Sequence, residues 1–233
     1  MLVAKTARGF QKSFGFLSIL QEQTCKKCFS ATNKKFRDKV YELRTYSINP
    51  KDIKPFMELS KEWMQIRMKH SKLIGYWLSE IGGINDVVHI WEYDSLSHRA
   101  KVRQALAGDP EWVGNYFSKI LPWMHRQENS LLKCLPGTAI LDPPSNGVYE
   151  SQAFVSTKGR DETTTAIRNI HRPSAMLLGS WYSILGYESI GFMLWHHPDV
   201  DNLVHSSETA AKDSGVTVVH SRLLLPTPWS PMK

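Results

Sequence analysis

A chain that carries two copies of one pattern is bound to fold both copies in a related way, and this chain repeats itself. Residues 75–91 (GYWLSEIGGINDVVHIW) align without a gap on 179–195 (GSWYSILGYESIGFMLW). Five of the seventeen positions are identical: Gly75/Gly179, Trp77/Trp181, Ser79/Ser183, Gly82/Gly186 and Trp91/Trp195. Tryptophan is rare, so two matches at one offset are hard to attribute to chance. Upstream, Val40-Tyr41-Glu42 matches Val148-Tyr149-Glu150 at an offset four larger. Downstream, 131–136 (LLKCLP) resembles 221–226 (SRLLLP) at an offset fourteen smaller. The duplication covers the body of the chain, with a shorter first helix and a missing second-half insertion in copy two.

Each copy reads β-α-β-β-α-β. In copy one, 40–48 is a strand of β-branched, aromatic and leucine residues ended by Asn49-Pro50. A helix over 52–70 follows, with Ile53, Phe56, Met57, Leu59, Trp63, Met64 and Ile66 near period 3.6. Strands 73–80 and 87–93 form a hairpin about Gly82-Gly83, residues suited to positive φ. Asp94 or Ser95 caps a helix to Ala107, Asp109-Pro110 opens another through Met124, and a strand covers 129–135. Copy two gives strand 148–155, a weak helix 161–171, hairpin 175–196, helix 199–212 and strand 216–225; Thr163-Thr164-Thr165 is a poor helical run. The linker 136–147 is rich in Pro, Gly and Asp. One such unit leaves a sheet face bare, and both faces of the hairpin are apolar: Val88 and Ile90 point one way, Val87, Trp91 and Tyr93 the other. The fold class is therefore α+β, with tandem ferredoxin-like βαββαβ repeats forming a dimeric α+β barrel-type fold within one chain. Two units joined only side by side are the alternative.

Charge and cysteine use narrow the function classes. Residues 1–39 hold nine cations and two anions, the whole net charge of +7, and the twenty cations and twenty anions that follow cancel. A nucleic-acid binder carries its excess on a fixed folded surface, so that class falls away. In the head, Lys5, Arg8 and Lys12 share one helical face, Phe10, Phe14 and Leu17 another, and no acidic residue precedes Glu22. This is the pattern of a mitochondrial presequence, and it sets the domains at 1–35 (transit peptide), 36–140 (first repeat) and 141–233 (second repeat). The apolar run 14–20 is too short to span a bilayer, and no other stretch approaches the needed ~20 residues. Cys25 and Cys28 make a C-x-x-C without the second pair a structural zinc needs, and Cys134 reads as a small core residue.

The segments VYELRTY (40–46), LIGYWLSEIGGINDVVHIWEYDSLSHRAKVRQAL (73–106), GVYE (147–150) and PTPWSPMK (226–233) resemble the NipSnap family, HIWEYDSLSHR (89–99) most specifically. The resemblance implies a ferredoxin-like α+β barrel in a mitochondrial, matrix-facing protein, with a cytosolic fraction left open. Members of the family are linked to vesicular transport and to marking damaged mitochondria for autophagy through protein partners. The family offers no agreed catalytic residues, so none is assigned here.

Candidate sites are weak on sequence grounds. His196 and His197 are adjacent in a strand and face opposite ways, so they cannot easily share a metal. His70 and His171 end the first helices, where the dipole favours a cation. His89 shares the Trp91 face; a satisfied buried histidine is its simplest account, and with Trp91 it is the one cofactor-site candidate. Trp77/Trp91 and Trp181/Trp195 are expected to pack across their hairpins. No P-loop, dinucleotide fingerprint, zinc-protease helix or nucleophile elbow occurs. The reading is a non-catalytic protein that works through protein partners, without cofactor, metal, nucleic acid or membrane span, and with self-association left open. The alternatives are a barrel-pocket binder of haem or another apolar molecule, and an enzyme of the same fold. A reporter fused behind residues 1–35 is expected to enter mitochondria, and replacing Arg8 and Lys12 with Glu to leave it in the cytosol. Import of that variant at the original rate would remove the presequence reading.

Overall fold

The computed structural model describes residues 39–170, 172, 174–187, 189–206 and 215–233; the basic head with Cys25 and Cys28, and His171, lie outside them. Strand β1 (Val40–Ile48) leads to α1 (Ile53–Met68), then the hairpin of β2 (Lys72–Ile81) and β3 (Asp86–Tyr93). Helix α2 (Leu96–Ala107) follows, then α3, a wide helical turn (Trp112–Phe117) running into Ser118–Ile120, then β4 (Met124–Cys134). Copy two supplies β5 (Val148–Ser156), α4 (Arg160–Arg168), β6 (Met176–Leu185), β7 (Ile190–His197), α5 (Asp201–Ser206) and β8 (Val216–Pro226).

Local chemistry accounts for the boundaries. The Ser95 hydroxyl accepts from the His98 N–H (3.1 Å) and caps α2. Asp109 Oδ1 accepts from the amides of Glu111 (2.9 Å) and Trp112 (3.1 Å) and starts α3. The helix expected through Met124 ends sooner, and β4 begins at 124 rather than 129. Pro122 cannot extend a helix, and β1 uses its full length to pair with β4, out to Ile48 opposite Met124. The threonine run does form α4: Thr163, Thr164 and Thr165 each donate their hydroxyl to the carbonyl four residues back, at 2.8, 2.8 and 3.0 Å.

Each copy makes a four-stranded antiparallel sheet, β4-β1-β3-β2 and β8-β5-β7-β6. The two join at both edges, β2 to β8 and β4 to β6, into one closed barrel. Alternation along the strands then sorts the apolar residues as expected. Leu43, Val88, Ile90, Trp77, Trp181 and Leu224 fill the interior. Val87, Trp91 and Tyr93 lie outside, under α1–α3, and Trp195 lies outside beside Ile167 of α4. The expected tryptophan pairs do not form. Trp77 stands opposite Val88 and Trp91 opposite Leu73, so the two indoles face opposite sides of the sheet; Trp181 and Trp195 separate likewise.

Four of the five repeated residues serve closure. Each inward tryptophan folds back over its own strand, and a Cβ on Gly75 or Gly179 would sit 2.1 or 2.3 Å from the Trp77 or Trp181 ring. Gly82 (φ +86°) passes the backbone of β8, where a Cβ would lie 2.3 Å from the Ser221 carbonyl oxygen. Its counterpart Gly186 (φ +107°) passes β4, where a Cβ would lie 2.7 Å from Ser130 Oγ. Ser79 and Ser183 each donate to the carbonyl two residues on, both at 3.2 Å, where the seam strands shift register. Separated, either half would expose an apolar sheet face and two bare edges. We therefore expect residues 36–140 and 141–233, expressed alone, to associate or aggregate. Two monomeric halves with independent melting transitions in calorimetry would contradict a shared core.

Candidate functional site

The outer face of β1 and β3 carries a polar network within the apolar cluster beneath α1–α3. Alternation puts Glu42, Arg44 and Tyr46 of β1 on that face, and the register sets Trp91 opposite Glu42 and His89 opposite Arg44. Glu42 is fully buried. Its Oε1 accepts from Arg99 Nη2 (2.7 Å), Asn129 Nδ2 (2.7 Å) and Arg44 Nη1 (3.0 Å). Its Oε2 accepts from Arg99 Nε and the Tyr93 hydroxyl, both at 3.0 Å. Burial opposes its charge, but the Arg99 hydrogen bonds, the Arg44 charge and Asn129 outweigh it and hold the carboxyl far below its ordinary range.

Arg67, from the last turn of α1, is a buried cation that meets no carboxylate among the described residues. Its guanidinium donates to the Tyr93 hydroxyl (2.6 Å) and to Ser71, and lies 4.0 Å over the Trp91 ring. Burial pulls its pKa down. His89 stacks on Tyr76 (4.6 Å between centroids) and meets the edge of Tyr46 (4.8 Å). Its Nδ1 accepts from Trp91 Nε1 at 2.6 Å. An indole N–H can only donate, so Nδ1 is bare and the neutral ring carries its proton on Nε2. Burial first, and the Arg44 charge second, push its pKa well below the usual value, so the ring is neutral. The predicted candidates His89 and Trp91 are thus brought together, as direct partners. Among the buried polar atoms that lack a partner among the described residues are His89 Nε2–H and Arg44 Nε–H. Both residues line a cavity of about 180 Å³, with Arg67, Trp91, Trp112 and Tyr116 among its other walls. Exposed Arg103 and Phe117 rim it.

The second unit holds the same architecture in a neutral form. Glu150 takes Arg172 Nη1 (2.6 Å), and Arg172 lies 4.5 Å over Trp195. Gln152 stands where Arg44 does; it donates to Glu150 (2.6 Å) and accepts from Trp195 Nε1 (3.1 Å). Met193 stands where His89 does, and His197, at the Tyr93 place, contacts Glu150 at 3.3 Å. His196 lies on the opposite face, its ring 5.5 Å from that of Tyr149. One arginine answers one glutamate there, whereas Arg44, Arg67 and Arg99 surround the single Glu42. A second hollow, about 280 Å³, opens at an end of the barrel interior. Its rim charges are paired, Arg126 with Glu128 and Arg222 with Asp86.

A closed barrel of two ferredoxin-like units in one chain, each with a buried carboxylate–arginine network under its helices, defines the class: a single-chain α+β barrel. A putative monooxygenase from Lactobacillus acidophilus shares this fold at a TM-score of 0.57 and 12% identity, over 81% of this chain and 93% of that one. The NIPSNAP family model matches residues 41–137. Human Protein NipSnap homolog 3A is 30% identical over 83% of this chain and 85% of its own length. Mouse Protein NipSnap homolog 3B is 29% identical over 92% and 94%. The chain belongs to the NIPSNAP family. Among the described residues no helix is long and apolar enough to cross a membrane.

Sequence reasoning missed Glu42, Arg44, Arg67 and Arg99. The signal for Glu42 was the recurrence of Val-Tyr-Glu at the head of both copies; a charged residue kept inside a duplicated strand has a partner to meet. We expect Glu42→Gln to cost about 3–5 kcal/mol, the range for breaking a buried ion network from one side. Because folding depresses this carboxyl, its contribution is complete above about 4.5, its unfolded value, and is lost as pH falls below that. Urea melts should show a shallower acid decline in Glu42→Gln than in the parent. Equal slopes would remove Glu42 as a source of acid sensitivity.

Proposed function

We propose that this chain is a non-catalytic mitochondrial NIPSNAP protein, matrix-facing, which acts through protein partners in mitochondrial quality control (mitophagy) or vesicular trafficking. The address rests on the basic amphipathic head, and the role on the family resemblance. One observation in the fold supports the non-catalytic part. The cavity is lined by donors, while its nearby bases are engaged: Glu42 receives five hydrogen bonds and His89 Nδ1 receives one. General-base or nucleophilic chemistry needs a free lone pair within reach of the substrate.

Haem does not suit His89. An iron would need Nε2, which carries the ring proton because Trp91 holds Nδ1 as an acceptor. The cavity, about 180 Å³, also falls below the roughly 300–1,000 Å³ of pockets that hold cofactor-sized ligands. Affinity capture of the full chain from intact and depolarised mitochondria tests the reading. We expect the captured set to change with depolarisation, and His89→Gln to retain it while shifting stability by about 1–3 kcal/mol. A captured set indifferent to depolarisation would count against quality control. A saturable Soret shift lost in folded His89→Gln would replace the reading with a haem site.

A further inference from the structure

We propose that the cavity beneath α1–α3 binds a small organic carboxylate with a flat apolar body, about the size of benzoate, seated on Arg44 and His89. The charge balance is the first argument. Three arginines, Arg44, Arg67 and Arg99, surround one buried carboxylate, and the cavity wall takes two of them. Desolvated cations without matching anions are costly, and a bound anion offsets that cost. The second unit makes the comparison internal to the molecule, because there one buried arginine answers one buried glutamate.

Geometry supplies the second argument. His89 and Arg44 stand opposite each other on adjacent strands, which sets their Cβ atoms about 5 Å apart. Each leaves one buried N–H without a partner among the described residues, His89 Nε2 and Arg44 Nε. Two neighbouring donors, one of them cationic, match the two oxygens of a carboxylate. The residues at these places in the second unit, Met193 and Gln152, leave no such pair: methionine has no donor, and Gln152 is bonded to Glu150, with its carbonyl taken by Trp195. The surrounding walls, Trp91, Trp112 and Tyr116, are aromatic, so the rest of the ligand meets rings. A cavity of roughly 150 Å³ accepts benzene; about 180 Å³ takes a ring and a carboxylate. Helix α3, which walls this site, has no counterpart among the described residues of the second unit.

Calorimetric titration and thermal shift with benzoate, phenylacetate and the neutral analogue benzamide test this on the full chain. We expect saturable binding of at least one of the two carboxylates, with benzamide at least tenfold weaker. The double variant Arg44→Gln, His89→Met copies side chains that already pack on the same framework in the second unit. It should keep its fold by circular dichroism and lose at least tenfold in carboxylate affinity. Absence of saturable binding by both carboxylates at millimolar concentration overturns the proposal, as does benzamide binding equally well. Retained affinity in the folded double variant overturns it too. Should that variant not fold, the benzoate-to-benzamide ratio on the parent chain still decides the matter.

Discussion

The structure depends on two strand pairings that no single repeat can make, β2 with β8 and β4 with β6. A ferredoxin-like sheet has two bare edges and one apolar face in need of cover. Joining both edges removes the first problem and, by curving the sheets around a common interior, solves the second. The residues repeated between the halves follow from this. Gly75 and Gly179 make room for indoles that fill the interior, and Gly82 and Gly186 let the hairpin turns pass close to the opposing half. Four of the five identities in the hairpin alignment thus lie at the seams or in the shared interior.

Under the helices, where the halves do not touch each other, they share a frame and differ in detail. Both keep a glutamate on the first strand and an arginine above a tryptophan. In one unit Gln152 closes the network into a neutral knot with the indole of Trp195. In the other Arg44 adds a charge and His89 takes over the indole, which frees donors at a cavity. A barrel assembled from two identical chains could not separate these tasks, since any change would appear twice.

The fold was legible in the sequence because a duplication converts rare matches into architecture, and because alternation in 87–93 told the two faces of the sheet apart. The tryptophan pairing was not legible. Facing positions in each hairpin depend on its register, and the register of β2 on β3 shifts by one residue between Leu73 and Gly75, so that Trp91 faces Leu73 while Trp77 faces Val88. An odd shift moves a side chain to the other face. The early start of β4 depended on how far β1 reached for a partner, a tertiary matter. The site was half visible: His89 and Trp91 share a strand two residues apart, whereas Glu42, Arg67 and Arg99 come from three elements whose meeting only the packing reveals.

The seam between β2 and β8 has a kinetic side. Leu78 pairs with Leu225, so one of the earliest strands to leave a ribosome waits for the last before its edge is covered. Pairings of such sequence separation are slow to form, and an open strand edge is the template for unwanted association in the meantime. Until residue 226 has emerged, the nascent chain is therefore a client for whatever binds extended, apolar segments. A stop or frameshift that removes β8 would deny the whole barrel its closure, not merely trim one end.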